Sequence, residues 1–157
     1  MYKSIVWGTD GSSEADRALP AVIDLASRPG TTLTVVHVDE HFYGGRSSGD
    51  SVFADEPDLR TKIEQQVEDF RKAGISTDFQ VLAKTDGEPA DAIAEVAENI
   101  EADLVVVATR GHGRLAGALL GSCAQRLLHV SPVPVLVITP QAAAPVAKET
   151  QKEAIPA

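Results

Sequence analysis

Cysteine is nearly missing from this chain. Cys123 stands alone among 157 residues, which excludes an internal disulfide and offers no metal-ligand spacing. Aromatic residues make up only 4% and methionine occurs once. The apolar content is therefore carried by Ala, Val, Leu and Ile, as expected where small side chains let helices lie close on a parallel sheet. No apolar run approaches the roughly 18 residues that span a bilayer, and the amino terminus lacks the basic and apolar regions of a signal peptide. The expectation is a soluble, cytoplasmic chain without a membrane partner. Basic residues are also few: 14 Lys and Arg stand against 23 Asp and Glu, for a net charge of -9. That balance argues against nucleic acid, whose phosphates an acidic surface repels. Finally, no lysine completes the GxxxxGK[ST] pattern, so P-loop hydrolysis is not expected.

What is present is concentrated between residues 102 and 138. A buried-strand pattern, Leu104 to Ala108, runs into a loop holding Gly111 and Gly113, and small and apolar residues then lead to Gly121-Ser122. No acid occurs from Leu104 through Pro140, whereas Arg110, His112, Arg114, Arg126 and His129 all fall there. In an acidic protein such an island is where an anion would sit. Glycines let backbone N–H groups approach a ligand, and a helix beginning near Gly121-Ser122 would aim its unpaired N–H groups at the same place. The alternative is an ordinary strand-to-helix loop whose apolar flanks leave no room for acids.

Taken in order, Ser4 to Trp7 reads as a strand ending in the turn formers Gly8 to Ser13, with Ser12 or Ser13 capping a helix. Ala15, Ala18, Leu19, Val22, Ile23 and Ala26 form its inward stripe, Pro20 predicts a kink or a distorted first turn, and Pro29-Gly30 ends it. Residues 32–38 read as a second strand, 41–57 as a long loop, 58–73 as a helix stopped by Gly74, and 77–83 as a third strand. Pro89 opens a further helix, with Ala90, Ile93, Ala94, Ala97 and Ile100 inward. After the fourth strand, residues 116–128 keep helical spacing through Leu119, Leu120, Cys123, Leu127 and Leu128, and 133–138 is the fifth strand. Residues 1–140 thus read as one α/β domain, a doubly wound five-stranded parallel sheet with helices on both faces, and 141–157 as a flexible tail. If strands one and four are neighbours, the loops after them face each other across one crevice.

Three residues carry bland readings beside sharper ones. Asp10 is either a ligand contact or a turn residue bonded to its own backbone. His37 interrupts an apolar strand and is read as a hydrogen-bonded core histidine rather than a metal ligand. Cys123 falls on an apolar helix face and is read as packing. Gly111-x-Gly113-x-x-Ala116 matches a dinucleotide fingerprint in form, but it does not lie in the first βα unit and the acid expected about 20 residues on is absent.

The spacing that remains is Ala108-x-x-Gly111, nine residues, then Gly121-Ser122. With the opening Gly8-Thr9-Asp10-Gly11-Ser12, the strand closing on His37-Val38 and the terminal Pro-Val-Leu-Val-Ile, the chain resembles the universal stress protein family over nearly all of residues 1–139. The resemblance implies an adenine nucleotide alpha hydrolase-like, Rossmann-like fold that binds ATP. Thr9 and Asp10 would meet the ribose or triphosphate region, and an acid facing triphosphate would need a bridging Mg2+. Val38 would hold adenine through its backbone, while Val107 and Ala108 would line the nucleotide. Gly111, Gly113, Gly121, Ser122 and Cys123 would give backbone or hydroxyl contacts. Ala108 departs from the pattern, in which a glycine stands first. A methyl there is tolerated if its φ is below zero, and displaces the ligand if the glycine serves close approach. The resemblance also implies a homodimer pairing residues 133–138 antiparallel, and any ATP hydrolysis would be slow, as no nucleophile and base pair is evident. The alternative is a nucleotide-free scaffold or chaperone-like interaction protein of the same fold.

Overall fold

A computed structural model describes residues 1–39, 56–83, 88–109 and 120–140. Within them the chain alternates strand and helix: β1 (Ser4–Gly8), a 3-10 turn (Ala15–Ala18), α1 (Leu19–Ala26), β2 (Thr32–Asp39), α2 (Glu56–Lys72), β3 (Ser76–Ala83), α3 (Pro89–Asn99), β4 (Leu104–Ala108), α4 (Ser122–Val130) and β5 (Val135–Ile138). The strands form one sheet in the order β3-β2-β1-β4-β5, and every pairing is parallel. The expected doubly wound sheet is therefore observed.

Alternation along each strand divides the core in two. Ile5, Trp7, Leu33, Val35, Leu104 and Val106 face α1 and α2, where they meet Val22, Ala26, Ile63, Val67 and Phe70. Val6, Val36, Val105 and Val107 face α3 and α4, where they meet Ala90, Ile93, Ala94, Ala97, Ala124 and Leu127. Burying each large aliphatic side chain contributes roughly 1.5–3 kcal/mol. The alanines of α3 let it approach closely. A Cβ at Gly8 would lie 2.8 Å from Ile93 Cδ1 and 3.1 Å from Val107 Cγ1, so β1 carries glycine where α3 crosses it.

Several sequence expectations shift. Of the two outcomes expected at Pro20, the distorted first turn is observed and no kink inside a helix: a 3-10 turn ends at Ala18 and Pro20 falls in the first turn of α1, where its missing N–H has no intrahelical partner to lose. The helix expected over 116–128 begins at Ser122 with Gly121 as its cap, and Leu120 precedes it; residues 116–119 lie outside the described residues. Leu128 is 52% exposed and Ile23 43% exposed, so neither belongs to the inward stripes expected of them. Both sit about 100° around their helices from a fully buried neighbour, Leu127 and Val22. The fifth strand is shorter than expected, but the Pro134 carbonyl still accepts from Val105 N at 3.0 Å. Of the loop expected over 41–57, residues 56 and 57 open α2 and the rest lies outside the described residues, as do residues 84–87 and the tail at 141–157.

Candidate functional site

The strand order reverses between β1 and β4. Ile5, Val6 and Trp7 pair with Leu104, Val105 and Val106, while the chain leaving β1 crosses to one face and the chain leaving β4 to the other. A crevice opens at the carboxyl ends of two such strands, the usual ligand position in open α/β sheets.

One wall is the turn after β1. Thr9 N donates to the Val36 carbonyl at 3.0 Å, and Thr9 Oγ1 accepts from Gly11 N at 3.1 Å. Asp10 Oδ1 accepts from Ser12 N at 3.0 Å and from Ser12 Oγ at 2.6 Å, and Ser12 Oγ in turn accepts from Ala15 N at 3.1 Å. Asp10 therefore does bond its own turn, and of the two serines Ser12 is the one that reaches the following helical turn. Gly11 has φ +76° and is backed by α2: a Cβ there would lie 3.1 Å from Leu59 Cβ and 3.3 Å from Ile63 Cδ1. Also from α2, Lys62 Nζ donates to the Gly11 carbonyl at 2.8 Å and to Asp16, and Gln66 Nε2 donates to Asp16 Oδ1 at 2.9 Å.

Next to this turn, His37 is 2% exposed. Its Nδ1 lies 3.0 Å from the Thr9 carbonyl. A carbonyl can only accept, so Nδ1 carries the hydrogen. That is the hydrogen-bonded core histidine expected. Val38 follows it at the end of β2, half-buried against the α3/α4 core.

The other wall is the end of β4. Val107 is buried, and half-buried Ala108 pairs with Ile138 of β5. Among the described residues Glu101 alone among non-glycines has positive φ, so Ala108 sits in ordinary extended backbone and its methyl imposes no strain. Thr109 N donates to the Ile138 carbonyl at 2.9 Å, and the Thr109 carbonyl accepts from Gly121 N at 2.5 Å. That bond brings the start of α4 to the end of β4. Gly121 has φ -69° and ψ 160°, angles open to any residue, so backbone conformation does not require glycine there. Ser122 is the first residue of α4 and makes no capping bond, since the cap position belongs to Gly121. Cys123 is half-buried and packs against the α3/α4 core, the packing position expected.

Of the cationic island, Arg126 and His129 lie among the described residues. Arg126 Nε lies 3.0 Å from both carboxylate oxygens of Asp91, and Nη2 lies 2.9 Å from Oδ1. This pair ties α4 to α3, and Asp91 holds the guanidinium pKa above its ordinary value. Asp91 also accepts from the Glu88 backbone at the start of α3. His129 lies in the last turn of α4, about 10 Å along the axis from the helix start at 1.5 Å per residue. Arg126 is thus engaged by α3, and His129 stands at the far end of α4 from Gly121. Gly111, Gly113, Arg110, His112 and Arg114 lie outside the described residues. No group of three or more metal-ligating side chains gathers among the described residues, and no helix there is long and apolar enough to cross a membrane.

Sequence reasoning missed Lys62 and the Thr109–Gly121 bond. Lys62 sits between Leu59 and Ile63 on a polar helix, at the margin of its inward stripe, and nothing in the spacing assigns it to a loop 51 residues earlier.

Comparison with known proteins gives a match to the model of the universal stress protein family over residues 1–139. A universal stress protein of Thermus aquaticus is 32% identical over 142 residues, covering 88% of this chain and 99% of that protein. A universal stress protein of Archaeoglobus fulgidus, solved in complex with dAMP, is 26% identical with a TM-score of 0.63, over 88% of this chain and 98% of the other. Another universal stress protein, solved in complex with cAMP, is 26% identical with a TM-score of 0.60, over 88% and 97%.

Proposed function

Because the chain belongs to the universal stress protein family, we propose that it binds an adenine nucleotide, ATP carrying Mg2+, in the crevice between the ends of β1 and β4, and acts as a nucleotide-responsive regulatory module. The observation that carries this reading is the junction of the two walls. The Thr109–Gly121 bond sets the amino end of α4, the positive end of its dipole, beside the end of β4, and β1 is the paired neighbour of β4. The amino end of a helix favours an anion. Support also comes from the relatives solved with dAMP and cAMP.

In this reading Val38 offers backbone to the base, and Val107 and Ala108 line the sugar and phosphate path. Gly111, Gly113, Gly121, Ser122 and Cys123 supply amides and a hydroxyl to phosphate and ribose. Thr9 and Asp10 face the polyphosphate. Mg2+ on the triphosphate would offset the repulsion between it and the Asp10 carboxylate; with no metal-ligating cluster among the described residues, the ion would arrive with the nucleotide. The protein would work in the cytoplasm as a homodimer. Val135, Leu136 and Val137 of β5 are only half-buried on an edge strand, the kind of edge that a second copy covers by antiparallel pairing.

The test is calorimetric titration with Mg-ATP of the native chain, Ala108→Gly and Gly121→Val. The native chain and the glycine variant should bind, because Ala108 adds a methyl without strain. Gly121→Val should not bind, because its backbone tolerates valine while the added side chain stands before the amides. Failure of both the native chain and Ala108→Gly to bind removes the nucleotide reading and leaves the fold.

A further inference from the structure

The peptide joining Gly11 to Ser12 is held at both ends. In a trans peptide the C=O and N–H point in opposite directions. Here the Gly11 carbonyl accepts from Lys62 Nζ at 2.8 Å, while the Ser12 N–H donates to Asp10 Oδ1 at 3.0 Å. Rotation of this one plane would break both bonds. Gly11 is also the residue least able to resist that rotation, since glycine occupies either sign of φ at little cost. The resistance must come from outside the turn, and α2 supplies it. The ammonium is itself fixed by the Asp16 carboxylate, whose other oxygen accepts from Gln66 Nε2 at 2.9 Å.

We propose that Lys62 is a positioning residue of the nucleotide site: by locking the Gly11–Ser12 peptide it fixes how Asp10 is presented to the crevice. This rests on reading the crevice as a nucleotide site, and it makes the docking of α2 a condition for that site to be formed. Lys62 touches no ligand in this account; it acts through the carbonyl of Gly11.

The test compares the full-length native chain with Lys62→Met, which keeps an aliphatic stem without the charge, and Lys62→Arg, which keeps a cationic donor. Two quantities are measured: Mg-ATP affinity, and hydrogen exchange at the Ser12 amide with the Val105 amide of β4 as a remote reference. A hydrogen bond to a charged group is strong enough that its loss should weaken ATP binding and speed Ser12 exchange about tenfold each. Val105 should be unchanged, and Lys62→Arg should recover most of both losses. Native affinity and native Ser12 exchange in Lys62→Met overturn the proposal. Ser12 and Val105 speeding together in both variants also overturn it, because that is general loosening. If the native chain binds no nucleotide, the functional reading falls, and Ser12 exchange alone still decides whether Lys62 locks the turn.

Discussion

Replacing Gly11 by alanine separates two costs that the fold combines at one residue. Gly11, Gly30 and Gly74 all have φ near +80°, at +76°, +78° and +82°. An L-residue there costs roughly 1–2 kcal/mol, partly offset by about 0.4–1 kcal/mol from the stiffer unfolded chain. At Gly30 and Gly74 nothing lies within 4 Å of the added Cβ, so each alanine variant should lose about 1 kcal/mol or less. At Gly11 the same Cβ meets Leu59 Cβ at 3.1 Å. A Cβ is fixed to its backbone and cannot swing away, so α2 or the turn must shift, adding about 1–3 kcal/mol. The expected total at Gly11 is about 1–4 kcal/mol, against a domain stability of roughly 5–15 kcal/mol. Urea denaturation of the three variants measures this directly, the slope staying constant while the midpoint moves. Equal losses at Gly11 and Gly30 would refute the claim that α2 packs hard against the turn.

Three further outcomes are expected. Leu127→Ala should cost about 2–5 kcal/mol and Leu128→Ala under about 0.5 kcal/mol, since Leu127 is fully buried and Leu128 52% exposed; comparable losses in denaturant would refute the placement of α4. Asp103 accepts from Lys3 N at 2.7 Å and Ser4 N at 2.9 Å, bonds that hold its carboxyl below the ordinary carboxylate range. A depressed folded pKa stabilises above the unfolded value and is lost as pH falls through the folded one, so the advantage of native protein over Asp103→Asn should be full at neutral pH and shrink below about pH 4. An advantage that is constant from neutral pH to pH 3 would contradict this. Arg126→Leu should leave Mg-ATP affinity at the native level in calorimetry, because Arg126 is engaged by Asp91; a tenfold loss would return Arg126 to the anion site.

The sheet was legible because its signals are local. Apolar, β-branched or alternating runs bounded by turn formers marked the five strands, and Pro89 and Gly74 fixed helix ends by conformational rules that need no tertiary partner. What was not legible depends on partners far along the chain. The spacing of Leu127 and Leu128 admits both to one stripe, and only the position of α4 on the sheet exposes one of them. Arg126 looked like an anion ligand because acids are absent from its own segment; its partner Asp91 lies 35 residues away on α3. Lys62 was invisible for the same reason. Asp10 was legible as a turn residue, since an Asx turn is built within three residues, whereas nothing local distinguishes a carboxylate that also serves a ligand.

In the proposed function the ends of β1 and β4 form one site for an adenine nucleotide. Titration of the isotopically labelled chain with Mg-ATP, followed by amide resonances, tests it most directly. Saturable shifts are expected at Thr9 to Ser12, Val107 to Thr109 and Gly121 to Cys123, with the amino ends of the strands silent. Shifts confined to the amino ends of the strands, or none at millimolar nucleotide, would contradict it.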